Sequence, residues 1–295
     1  MEYVFEASGL TKQFDDVTAL DHINLKLGRP SIVGLLGKNG SGKTTLIQHL
    51  MGLQLPNEGT VKTLDQSSDK LGHDALTQIG YVPQEIGLLD WMTVEQHVRY
   101  VSCFYPDWDQ EREKRLLSEL ELDTEKPVGK LSTGNLQKLA IILAVCHHPQ
   151  LLILDEPVSD LDPIVRAKLL EFLLEVLRED QATILVSSHV LRDVEKIVDW
   201  VVCLDNGRVV TDAGLDELKE RYAEWRIVSR NGDLPTHFTE PFVHSQEISG
   251  SQALLRVRQA DANLETFRAT HGVEVTARPL NLEEMFPILV GEGAA

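Results

Sequence analysis

The chain has 295 residues, 42% of them hydrophobic, which is long enough for one large α/β domain plus a smaller one with ample core. Its formal net charge of −18 opposes a nucleic-acid surface, because phosphate neutralisation needs clustered Lys and Arg, so no nucleic-acid partner is expected. Cys103, Cys146 and Cys203 are odd in number, widely spaced and set in apolar contexts, which opposes a disulfide framework or a metal site and fits a reducing cytosol.

Near the start, Phe14 precedes an alternating strand from Ala19 to Leu27. Ile32-Val33-Gly34-Leu35-Leu36 then reads as a buried strand, and residues 37 to 44 read Gly37-Lys38-Asn39-Gly40-Ser41-Gly42-Lys43-Thr44. A helix pattern from Lys43 to Leu53 follows, with Leu46, Ile47, Leu50 and Met51 on one face. A Gly-rich loop between a strand and a helix is a phosphate-binding loop. Gly37, Gly40 and Gly42 let the backbone turn its N–H groups inward around phosphates, and the helix start adds unpaired donors and the positive end of its dipole. Lys38, Asn39, Ser41 and Thr45 complete the expected nucleotide-binding run. Lys43 is expected to reach the β- and γ-phosphates, and the Thr44 hydroxyl to bind Mg²⁺.

Tyr81-Val82-Pro83-Gln84 comes next, followed by a segment of different character, about 85 to 148, whose helix starts include the capping-box pattern Thr93-Val94-Glu95-Gln96. It reads as a helical subdomain inserted into the α/β core. Within it Leu131-Ser132-Thr133-Gly134-Asn135 opens a helix with Leu136, Leu139, Ile142 and Leu143 on its inner face. Leu151-Leu152-Ile153-Leu154-Asp155-Glu156-Pro157 is an apolar strand ending in two carboxylates, which places Asp155 and Glu156 at the carboxyl edge of the sheet beside the phosphate loop. There Asp155 suits a Mg²⁺ shell, and Glu156 suits polarising an attacking water.

Asp162 and Pro163 mark the start of a helix running to Arg178, with Leu169, Leu170, Leu173, Leu174 and Leu177 on its apolar face. A strand from Thr183 to Val186 leads to His189. Strands alternating with helices indicate a parallel sheet covered by helices, so the expected fold class is α/β of the P-loop NTPase type. The first domain is expected over 1–222, ending after the charged helix Leu215 to Arg221. A small α+β accessory domain is expected over 223–295, with strands near 224–229, 253–258 and 273–277 and helices near 262–270 and 282–290. Met1 to Glu6 has no basic region or signal core, and the longest apolar stretch, Leu139 to Cys146, is too short to span a bilayer. Any membrane role is therefore expected to come through a partner.

Taken in order, these motifs resemble the nucleotide-binding subunit of an ABC transporter over about residues 3 to 220. The resemblance implies ATP and Mg²⁺ as ligands, ATP hydrolysis, and a homodimer or heterodimer of such subunits driving separate integral-membrane subunits from the cytoplasmic face of the membrane. Leu131 to Asn135 stands where the family signature, usually Leu-Ser-Gly-Gly-Gln, is expected, with Thr133 replacing a glycine and Asn135 a glutamine. Ser132 and the Gly134 N–H are then implied to contact the γ-phosphate bound to the other subunit. Gln84 resembles the glutamine of the loop that reaches the Mg²⁺ or water, and His189 the switch histidine that hydrogen-bonds the γ-phosphate. Ser159-Asp160-Leu161-Asp162 resembles the loop coupling the two subunits, although Asp162 is equally explained as a helix cap. Phe14 matches the adenine-stacking aromatic, or else is a core aromatic. Glu85 to Tyr100, rich in Ile86, Leu88, Leu89, Trp91 and Met92, is implied to wall the groove that receives the membrane partner. The tail Leu280 to Phe286 is similar to that of bacterial multidrug and antibiotic exporters, which favours export. A soluble ABC ATPase with a regulatory, translation or DNA role is the alternative.

Overall fold

The computed structural model describes residues 3–28, 31–157, 161–188, 191–230 and 232–291. They form two compact units, Met1–Asp212 and Ala213–Ala295.

The first unit is built on a six-stranded sheet. Its order is Arg208–Gly214, Trp200–Asp205, Ile32–Gly37, Thr183–Ser187, Leu151–Asp155 and Ile79–Val82. The five strands from Trp200–Asp205 to Ile79–Val82 pair in parallel. Every residue of Ile32–Gly37, Leu151–Asp155 and Thr183–Ser187 is buried, as expected for strands covered on both faces, and this explains why each reads as a continuous apolar run. A second, antiparallel sheet has the order Val17–Gly28, Tyr3–Phe14, Glu58–Thr63 and Gln66–Ser67. Leu20, Ile23, Leu46, Ile47, Leu35 and Val202 share one apolar core that joins this sheet, the loop's helix and the parallel sheet.

The helix after the phosphate loop is Lys43–Leu50 and so stops short of Leu53. Gly52 ends it with φ +68°, and a Cβ there would lie 2.2 Å from the Ser68 carbonyl oxygen, so the chain turns away at a residue only glycine can occupy. Between the strands Ile79–Val82 and Leu151–Asp155 lie the helices Val94–Ser102, Gln110–Glu119 and Thr133–Val145. The first has its capping box: Gln96 N–H donates to the Thr93 hydroxyl at 3.2 Å, and Thr93 N–H to Gln96 Oε1 at 3.1 Å. Helix Pro163–Asp180 is capped by Asp162, which accepts from the Ile164 and Val165 N–H groups.

The second unit holds an antiparallel sheet in the order Val243–Ser249, Gln252–Arg258, Tyr222–Ser229 and Val273–Pro279. Trp225, Ile227, Leu255, Val257, Phe267 and Val275 fill its core, with Phe267 carried on helix Leu264–His271. Helix Leu215–Arg221 belongs to this unit, which begins at Ala213. Among the described residues no helix is long and apolar enough to cross a membrane.

Candidate nucleotide site

Four parallel strands, Ile32–Gly37, Thr183–Ser187, Leu151–Asp155 and Ile79–Val82, bring their carboxyl ends to one edge of the sheet, where ligand sites of open α/β folds form. The phosphate loop leaves the first of them. A Cβ at Gly37 would lie 2.3 Å from Ser41 Oγ and 2.5 Å from the Leu204 carbonyl oxygen, so the loop closes on itself and on the neighbouring strand with no room for a side chain. At Gly42, φ is +106° and a Cβ would lie 2.6 Å from the Ala19 carbonyl oxygen. Gly40 has φ +79° with open space around it, leaving the exposed crest of the loop free for a ligand. Helix Lys43–Leu50 starts at Gly42 with no side-chain cap, so its first N–H groups remain available to an anion.

Lys43 is buried and donates from Nζ to the Gly37 carbonyl at 2.8 Å and the Lys38 carbonyl at 3.3 Å, curling its ammonium over the loop. The Ser41 hydroxyl is also buried and has no hydrogen-bond partner among the described residues. An orphaned hydroxyl, uncapped N–H groups and an ammonium within one loop fit a polyphosphate.

The acidic strand end lies beside this loop. Thr44 Oγ1 donates to Asp155 Oδ2 at 3.2 Å, and the Ser187 hydroxyl donates to Asp155 Oδ1. Ser187 is set opposite Asp155 by the register of the two strands. It also holds the next residue, since Glu156 N–H donates to Ser187 Oγ at 2.9 Å. Glu156 is 8% exposed and has φ +54°, a left-handed conformation that costs a non-glycine residue on the order of 1 kcal/mol and persists where surroundings enforce it. A hydroxyl and a carboxylate within hydrogen-bonding distance make an all-oxygen donor set, which suits a hard cation such as Mg²⁺.

The chain is similar to known proteins. The family model for "ABC transporter" matches residues 20–159. The bacitracin transport ATP-binding protein BcrA of Enterococcus faecalis is 30% identical over 304 residues, covering 99% of this chain and 98% of that protein. The chain belongs to the ABC transporter family, among its ATP-binding subunits. The Nod factor export ATP-binding protein I of Ralstonia nicotianae is 29% identical over 302 residues, covering 98% of this chain and 94% of that protein. A dimeric post-hydrolysis cassette bound to ADP and Pi is 25% identical, with a TM-score of 0.64 over 72% of this chain and 98% of that one. As a member of the family, this subunit binds ATP with Mg²⁺, hydrolyses ATP, and serves as a motor that pairs with a second cassette and with membrane subunits.

Gln84 is exposed just beyond strand Ile79–Val82 and shares no hydrogen bond with Thr44 or Asp155. Tyr81, beside it, has its phenol pKa raised by burial and then by the negative charge of Asp155, so it stays neutral. Ser132 caps helix Thr133–Val145, accepting the Asn135 N–H at 3.4 Å, and with Gly134 it shares no hydrogen bond with the phosphate loop of its own chain. Phe14 is 43% exposed at the hairpin end where it pairs with Val17, and Lys12 Nζ lies 4.9 Å from its ring centroid. The strand leaving that hairpin carries the Ala19 carbonyl that abuts Gly42. His189, Ser159 and Asp160 lie outside the described residues.

Two contributors escaped sequence reasoning. Ser187 lies one residue past the strand expected over Thr183 to Val186, and its place at the end of the strand next to Leu151–Asp155 is the available signal. Gly207 braces the loop: its N–H donates to the Ser41 carbonyl at 3.1 Å and its carbonyl accepts the Asp21 N–H at 2.8 Å. It thereby joins the phosphate loop to the strand that follows Phe14.

Proposed function

We propose that this subunit powers export, with Glu156 polarising the attacking water, Asp155 and Thr44 holding Mg²⁺, and Lys43 with the uncapped helix start holding the β- and γ-phosphates. When bound, the cation neutralises charge developing on the transferred phosphoryl group. The observation that carries this reading is the hydrogen-bonded chain beside an open phosphate loop, in which Thr44 and Ser187 both donate to Asp155 and Ser187 accepts the Glu156 N–H. Phe14 stacks on the adenine, Gln84 reaches the Mg²⁺ or the water, His189 hydrogen-bonds the γ-phosphate, and Ser132 with the Gly134 N–H meets the nucleotide of the second cassette. Export is favoured by the names of relatives, which include a Nod factor export protein and a bacitracin transport protein.

In this reading the subunit sits at the cytoplasmic face of a membrane, and the segment Glu85 to Tyr100 receives the membrane partner. Trp91, 76% exposed within that segment, is consistent with that role, aromatic residues being enriched at protein interfaces. The unit Ala213–Ala295 is accessory and stabilises the cassette dimer or regulates its closure. Lys43→Ala tests the nucleotide site, because it removes a contact present in the bound ground state. ATP affinity by calorimetry should fall at least about tenfold; unchanged affinity would place the nucleotide elsewhere.

A further inference from the structure

Strands Leu151–Asp155 and Thr183–Ser187 run side by side and in parallel, and each leads from the carboxyl edge to a helix, Pro163–Asp180 in one case and Leu191–Val194 in the other. At the sheet end Ser187 binds both Asp155 and Glu156. At the helix end a second link joins the same two chain segments. Arg166 Nη1 donates to Asp193 Oδ2 at 2.8 Å, and Arg166 Nη2 donates to the Leu161 carbonyl at 3.2 Å. Lys196 Nζ steadies the same carboxylate at 2.9 Å. Hydrogen bonds from Lys196 and then Arg166 hold the Asp193 carboxyl below the usual carboxylate range, so the acceptor stays charged. Both partners are largely withdrawn from water, Arg166 at 23% and Asp193 at 16% side-chain exposure.

A guanidinium suits this task because its rigid fork reaches a carboxylate and a carbonyl at once, whereas a lysine ammonium is a point charge on a flexible stem. Neither acceptor belongs to the phosphate loop. The link therefore has leverage on the path of the chain after Glu156 and after Ser187, and none on Lys43 or the N–H groups of the phosphate loop.

We propose that Arg166 is a positioning residue for hydrolysis: by tying Leu161 to Asp193 it fixes the far ends of the two segments whose near ends carry Glu156 and Ser187. The inference rests on the reading of Glu156 as the water-polarising group. Loss of the link lets the two segments move apart, which misplaces the carboxylate relative to the nucleotide and leaves nucleotide binding intact.

The test compares the full-length wild type with Arg166→Ala, Arg166→Lys, Asp193→Asn, Asp193→Ala and the double variant Arg166→Ala/Asp193→Ala, by steady-state ATPase assay and ATP calorimetry. Arg166→Ala should lower kcat about tenfold or more while KM and Kd for ATP stay within about twofold, and Arg166→Lys should recover only part of the loss. The double variant should be no worse than the more damaged of its two single variants, because the residues act as one unit. Unchanged kcat in Arg166→Ala, losses that multiply in the double variant, or a loss of ATP affinity equal to the loss of kcat would each overturn the proposal. Should Arg166→Ala fail to fold, Asp193→Asn decides alone, with undiminished kcat as the contrary result. Failure of the Glu156 reading is visible separately, as normal turnover in Glu156→Gln whatever Arg166 does.

Discussion

The Ser187 hydroxyl donates to the Asp155 carboxylate and accepts the Glu156 N–H, so one small side chain holds the carboxylate of one acidic residue and the backbone of the next. Because both links are buried, water cannot replace them cheaply.

Ser187→Ala is therefore expected to lower kcat by about tenfold, with ATP affinity nearly unchanged, since the loop residues that hold phosphate are untouched. Turnover and calorimetry on the same preparation check this. A fall in affinity with kcat preserved would contradict it.

Gly42→Ala should be far worse than Gly40→Ala. Both residues have positive φ, but only at Gly42 would the new Cβ meet a backbone oxygen, that of Ala19 at 2.6 Å, while Gly40 has open space around it. The expected cost is about 2 kcal/mol or more at Gly42 and about 1 kcal/mol at Gly40. Thermal melting of the two variants, with and without ATP, compares them directly; equal melting temperatures would remove the steric account of the loop.

A pH prediction comes from His147, which stacks on Tyr105 with ring centroids 4.0 Å apart and whose Nε2 lies 3.3 Å from the Ile79 carbonyl oxygen. Burial pushes its pKa down to about 4 from 6.5. Between those values the unfolded chain binds a proton that the folded chain refuses, so the stability is fully present above pH 6.5 and is lost as pH falls toward 4. At pH 5 the loss amounts to about 2 kcal/mol. His147→Phe should shrink the drop in urea midpoint between pH 7.5 and pH 5, and an undiminished drop would assign the acid sensitivity to other groups.

Legibility followed the range of the contacts involved. Gly37 to Thr44 is local chemistry, a strand, a turn and a helix start within one stretch, and Leu151 to Asp155 announces a doubly covered strand by its unbroken apolar run. Ser187 and Arg166 look ordinary in isolation because their roles come from partners in register on the next strand or across 27 residues of chain, as with Arg166 and Asp193. The strand Val243–Ser249 is illegible in the sequence because it alternates weakly and is mostly polar, as suits an edge strand with one face uncovered. Gly207 was missed for the opposite reason. Its hairpin dipeptide Asn206-Gly207 is a strong local signal, but the contact with Ser41 that gives it meaning is long-range.

The central claim is that Glu156, held in a left-handed conformation beside Asp155, polarises the water that attacks ATP. Glu156→Gln keeps the size and the hydrogen bond to Ser187 Oγ, which uses the backbone N–H, and removes only the basic carboxylate. ATPase turnover is measured alongside size-exclusion chromatography of the variant with ATP and Mg²⁺. The account predicts turnover at least about a hundredfold lower, unchanged ATP affinity and an ATP-dependent dimer that persists; a monomer that hydrolyses ATP at the wild-type rate would contradict it.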